Sequence, residues 1–196
     1  MARYSKEHKA ATRQRIIDAA GRRLKKDGID GSGVATLMAD AGLTNGAFYA
    51  HFDSKDHLVT AVIADQIGRQ VTELSELPPG RRGLELFVLQ YLSRGHRDHP
   101  EAGCPSAALL DEVGRCTPST KAAYTAGTKA ILREISARLA PERPESARPA
   151  ALSLFTILVG SMQLARALTD RELSDVVLDE GVVSARAILE AWTAPR

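Results

Sequence analysis

Apolar residues recur every three to four positions over most of the 196-residue chain. No stretch sustains the strict alternation of a half-buried strand, so the pattern predicts an all-α protein. A first helix is predicted over 6–27, with Ile16, Ile17, Ala20 and Leu24 as its buried stripe and Gly28 as its stop. A second spans 34–41 and breaks at Gly42. A short third helix follows over 45–52, with Thr44 as its N-cap. Ser54 is placed to cap a long helix that runs to about residue 75, with Asp56 in its first turn complementing the dipole.

The sequence Leu77-Pro78-Pro79-Gly80 is a clear break. Helices are then expected over 81–96, 106–114, 118–139 and 145–168, followed by two at 172–178 and 181–192. Turns are expected at 100–105 and 141–144, and Thr117-Pro118 opens the helix at 118. The middle of 145–168 is apolar almost all round, so that helix needs cover on more than one side. Its core is nevertheless too short and too broken by Ser153, Thr156, Ser161 and Gln163 to be expected to span a bilayer.

Charge adds an asymmetry that the periodicity does not show. The net charge is only +2, but Arg3 to Lys26 holds nine basic residues against Glu7 and Asp18. The rest of the chain holds 17 basic and 22 acidic residues. A basic head on a mildly acidic body suits a polyanionic partner, although a solvated helix face has the same composition. The first 26 residues contain no apolar signal region, and two cysteines make no disulfide framework, so a cytoplasmic location is expected.

The segments 34–41 and 45–52, joined by a tight turn at Gly42-Leu43, form a helix-turn-helix. Leu37, Ala41, Leu43, Phe48 and Phe52 are placed to pack inward. Thr44, Asn45, Gly46, Ala47, Tyr49 and His51 then face outward, with the N-terminal end of the third helix directed at a major groove. Asn45 suits an adenine edge. Tyr49, His51 and Lys55 suit phosphates, with Arg3, Lys6 and Lys9 as further backbone contacts. The expected division is a DNA-binding head over 1–53 and a body over 54–196.

The run from Leu37 to Lys55, with its Gly-x-x-Tyr-x-His-Phe-x-x-Lys core from Gly46 to Lys55, resembles the tetracycline-repressor (TetR) family. The close match covers about 12–64; beyond it only length and helical layout agree. The resemblance implies a homodimer on a palindromic operator, released by a small-molecule effector in the C-terminal domain. It also implies Thr44, Asn45, Gly46, Tyr49, His51 and Lys55 as DNA contacts. Gly33 stands where the family usually has Thr or Ser, Ala35 replaces a longer residue, and Asn45 replaces a frequent Lys, so the operator sequence does not carry over.

In the body, Phe87, Tyr91, Leu109, Tyr124, Phe155, Leu158 and Met162 form an apolar set that serves a core or a pocket. The resemblance favours a pocket among them, with His96, Asp111 and Gln163 as polar candidates. Leu154, Leu158, Val183, Ala187, Ile188 and Ala191 are candidate dimer contacts, in a four-helix bundle between subunits, or else members of the monomer core.

Cys104, ahead of Pro105 and a predicted helix, is either an oxidant or electrophile sensor or a small buried turn residue. His96, His99, Cys104 and Cys116 do not have a usual zinc spacing, and no metal is expected. No Ser-His-Asp arrangement, Gly-rich phosphate loop or paired-carboxylate motif is evident, so neither an enzyme nor a cofactor is expected. A helical enzyme and an architectural DNA-coating protein remain as alternatives to a regulator.

Overall fold

The computed structural model describes residues 2–192, with side chains from residue 7 onward. The stripe Ile16, Ile17, Ala20 and Leu24 is buried as the periodicity requires. It lies on α1 (Ala2–Asp27), which packs against α2 (Val34–Asp40) and against the long helix α3 (Lys55–Glu76). Gly28 ends α1 at φ +82°, and Gly42 turns the chain after α2 at φ +66°. Both values lie in the left-handed region where glycine carries no side-chain penalty.

The segment after α2 is a 3-10 helix, Asn45–Ala50, rather than the α-helix expected over 45–52. It is one short, tight turn held by two inward anchors, Phe48 and Phe52, whose rings stack at 5.9 Å. Thr44 stands at the N-cap with extended backbone, but its hydroxyl makes no cap bond. Ser54 does cap α3, accepting the His57 amide at 3.1 Å.

The body continues with α4 (Gly80–Tyr91), α5 (Arg94–Asp98), a 3-10 turn Pro100–Ala102, α6 (Pro105–Arg115), α7 (Pro118–Leu139), a 3-10 turn Pro144–Ala147, α8 (Arg148–Ala167) and α9 (Arg171–Ala191). No strand occurs among the described residues. Helix α3 lies along α7, α8 lies along α9, and α7 bridges the two pairs.

Two boundaries differ from the sequence pattern. The helix expected over 81–96 breaks after Tyr91, where Ser93 caps a new turn by accepting the His96 amide at 3.1 Å. That break folds His96 back beneath Tyr91. The two helices expected at the C-terminal end are one, because Gly181 is a close-approach residue and not a stop. A Cβ there would fall 2.7 Å from Ser161 Oγ of α8. The segment Pro144–Ala167 also proves long and apolar enough, by length and composition, to cross a membrane. In the fold it is a core helix: Leu154, Leu158 and Met162 are fully buried against the neighbouring helices.

Candidate nucleic-acid interface and effector cavity

The 44–51 turn is packed on one side and open on the other. Leu37, Met38, Ala41, Phe48 and Phe52 are buried beneath it. The Arg13 guanidinium sits 4.8 Å from the centre of the Phe52 ring and ties α1 to the turn. Above this core Thr44, Asn45 and Gly46 are exposed, Ala47 is half-buried, and Tyr49 is 73% exposed with its ring edge against Phe48.

His51 is half-buried, and its Nδ1 has no hydrogen-bond partner. Burial, with Lys9 and Arg13 nearby, pushes its pKa down, so the ring is neutral at pH 7. Lys55 is not a free phosphate ligand: its ammonium donates to the Ile29 carbonyl at 2.6 Å, inside the head. Lys9 is exposed on α1, while the side chains of Arg3 and Lys6 lie outside the described residues.

The connector between α1 and α2 is held from three directions. Lys55 grips the Ile29 carbonyl, and Ser32 Oγ donates to the Gly28 carbonyl at 2.8 Å. From the body, Glu112 on α6 accepts the amides of Ile29 at 2.7 Å and Asp30 at 3.2 Å. A carboxylate accepting two backbone amides is a strong, directional link. It couples the head to the same helix whose N-terminus, Cys104-Pro105, borders a sizeable cavity.

That cavity, of about 640 Å³, lies between α1, α3, α4 and the turn leading into α6. Of the residues expected to meet an effector, Phe87, Tyr91 and His96 line it. The others do not. Leu109, Phe155 and Met162 are buried in the core among α6, α7 and α8. Tyr124 donates to Ser106 Oγ at 3.0 Å, and Gln163 donates to the Ser106 carbonyl at 3.4 Å. Asp111 is exposed and paired with Arg115. Lys25, Gln66 and Gln70 also line the cavity and escape the sequence pattern, because polar residues on long helices carry no periodic signal.

Lys25 is 6% exposed and reaches from α1 to the Gln66 side-chain oxygen at 2.9 Å and the Gly103 carbonyl at 2.8 Å. Burial pulls its pKa down to about 8. His96 Nδ1 donates to the Tyr91 carbonyl at 2.6 Å, and Nε2 accepts the Cys104 amide at 3.0 Å. Burial lowers its pKa to about 4, so the ring is neutral. Cys104 is buried, with its thiol donating to Gln70 at 3.1 Å, and it is not bonded to Cys116. His99 pairs instead with Glu101.

The dimer candidates divide. Leu154 and Leu158 are wholly buried within the subunit, because they face α9 and α7, and a partner has no access to them. Ala187 and Ala191 are exposed, Ile188 is half-buried, and Val183 is 59% exposed. Five of the eight large exposed apolar side chains lie on the α8–α9 pair: Leu152, Leu164, Leu173, Val176 and Val183.

An exposed 3-10 turn over a stacked aromatic core, beside a basic helix, defines a helix-turn-helix DNA-binding protein. Residues 16–62 match the model of a family described as bacterial regulatory proteins, tetR family. The probable HTH-type transcriptional regulator ArpR of Pseudomonas putida is 36% identical over 85 residues, 40% of this chain and 40% of that one. The HTH-type transcriptional regulator TtgR, also of Pseudomonas putida, is 41% identical over 63 residues, 32% of this chain and 30% of that one. The match thus spans less than half the length of these relatives. Over 90% of this chain and 96% of the other, the fold is that of the reduced form of E. coli NemR, with a TM-score of 0.77 at 19% identity. Residues 16–62 thus match the DNA-binding domain of the tetR family, and the relatives matched over that part are named as transcriptional regulators.

Proposed function

We propose that the protein is a homodimeric repressor that binds a palindromic operator and is released from it by a small-molecule effector. The observation that carries this reading is the 44–51 turn, exposed along its outer face and braced from below by Phe48 and Phe52. Thr44, Asn45 and Gly46 at its leading end are short enough for close approach to base edges. Tyr49 and the basic face of α1 suit the flanking phosphates. The division into a head, 1–53, and a body, 54–196, fits this use, with α3 as the connecting rod.

Dimerisation is assigned to the exposed stripes of α8 and α9. Leu152, Thr156, Gly160 and Leu164 recur at four-residue spacing, and Val176, Val183 and Ala187 share one face of α9. Such a face on paired helices suits an isologous four-helix contact. Two heads must then stand about 34–36 Å apart to enter successive major grooves. An effector that prefers a different separation shifts the population off DNA.

Selection of bound duplexes from a random library, followed by a salt titration, tests the reading. Enrichment of one palindrome with half-sites one helical turn apart is expected. Salt-sensitive binding with no preferred sequence would instead identify a DNA-coating protein and overturn it.

A further inference from the structure

The cavity at the junction of head and body is electrically polarised. Of its three lining acids, Asp18 is engaged by Arg69 and Glu101 by His99, and Glu73 is exposed to solvent. Its buried end carries a cation. Lys25 is bonded to two neutral carbonyl oxygens and, among the described residues, to no carboxylate. Across the same Gly103-Cys104 turn, Tyr91 is 3% exposed, and its buried hydroxyl has only the weakly bonding Cys104 thiol beside it and no oxygen or nitrogen partner. Leu74, Leu77 and Phe87 supply an apolar wall.

A buried ammonium without a counter-ion and a buried hydroxyl without an oxygen or nitrogen partner are both costly. One ligand group satisfies both: an oxygen anion that accepts from each. We infer that this cavity binds an organic monoanion, a carboxylate with an apolar body, through the Lys25 ammonium and the Tyr91 hydroxyl. The inference rests on the effector-responsive reading and names the class of effector. Because Lys25 belongs to α1, the ligand touches the DNA-binding head directly, not only the body.

The groups facing Lys25 are Glu73 and Arg69 on α3, Arg166 on α8, and Cys104 ahead of α6. Glu73 is exposed, whereas Arg166 is half-buried with one guanidinium nitrogen unpartnered, so the field at the buried end is positive. A bound carboxylate holds Lys25 in its charged form. With the pKa of the free protein's Lys25 at about 8, binding at pH 8 takes up about half a proton.

The test is calorimetry on the full chain at pH 7, with two probe pairs: decanoate against decanol, and 2-naphthoate against 2-naphthol. At least one acid is expected to bind about tenfold or more tightly than its alcohol. Lys25→Met is expected to abolish that preference and leave the alcohol's affinity within about twofold, while Tyr91→Phe weakens the acid alone. Proton uptake at pH 8 is expected in the wild type and not in Lys25→Met.

Equal affinity of acid and alcohol in both pairs, a preference that survives Lys25→Met, or no binding by either pair would each overturn the assignment. Operator binding by the unliganded protein is measured in parallel. Its loss with the acid preference intact sinks the regulator reading and leaves the cavity assignment standing.

Discussion

Lys25 and His96 occupy the same pocket wall and respond to pH in different windows. Both are bases whose pKa burial has lowered, so in each case the unfolded chain binds more protons and stability rises with pH between the two values. For His96 the window runs from about 4, its folded value, to 6.5. Protonation of Nε2 also breaks the bond from the Cys104 amide. Lowering pH from 7 to 5 should therefore cost about 2 kcal/mol, measured by urea unfolding, and His96→Gln should flatten that dependence. For Lys25 the window runs from about 8 to 10.5. Below it, the charged ammonium lowers stability by a constant amount. Lys25→Met should raise stability at pH 7 by about 1–2 kcal/mol after the loss of two hydrogen bonds, and the gain should shrink as pH rises toward 10.5.

Among the elements, α6 (Pro105–Arg115) has contacts at both ends that matter. Its N-terminus borders the cavity, and Glu112, seven residues on and about 10 Å along the axis, holds the connector between α1 and α2. A rigid helix gripping the head at one end and lining the ligand space at the other transmits displacement. Glu112→Ala leaves the Ile29 and Asp30 amides without that acceptor, and the head should loosen by about 1–3 kcal/mol. Faster hydrogen exchange at those two amides, with exchange in α8 and α9 unchanged, is the expected signature. Unchanged exchange at Ile29 would show that the link carries nothing.

For the whole molecule, the proposed dimer makes the spacing of two heads the decisive quantity, and the proposal places that spacing under the control of the α8–α9 face. Val176 and Val183 are open to solvent and lie seven residues apart on one side of α9. The double substitution Val176→Lys and Val183→Lys removes no core contact but places two cations on that face. Sedimentation should then show monomers with unchanged helicity, and operator affinity should fall by about 100-fold or more as two-site binding is lost. A variant that remains dimeric would move the interface elsewhere.

The helices and the exposed 44–51 turn were legible in the chain because both are local. A 3.6-residue stripe such as Ile16, Ile17, Ala20 and Leu24 declares its own buried face, and Gly46 to Lys55 is one contiguous segment. Tertiary structure decided what periodicity leaves ambiguous. Leu154 and Leu158 read equally well as interface or core until the packing of the subunit buries them; Gly181 reads as the start of a separate helix until α9 runs through it with Ser161 against its backbone. The commitment of Lys55 to Ile29 was equally hidden, since the two residues are 26 positions apart. The cavity was least legible of all. Its cation comes from α1, its amides from α3, its hydroxyl from α4 and its turn from 103–105, and only the packing of those elements makes them neighbours.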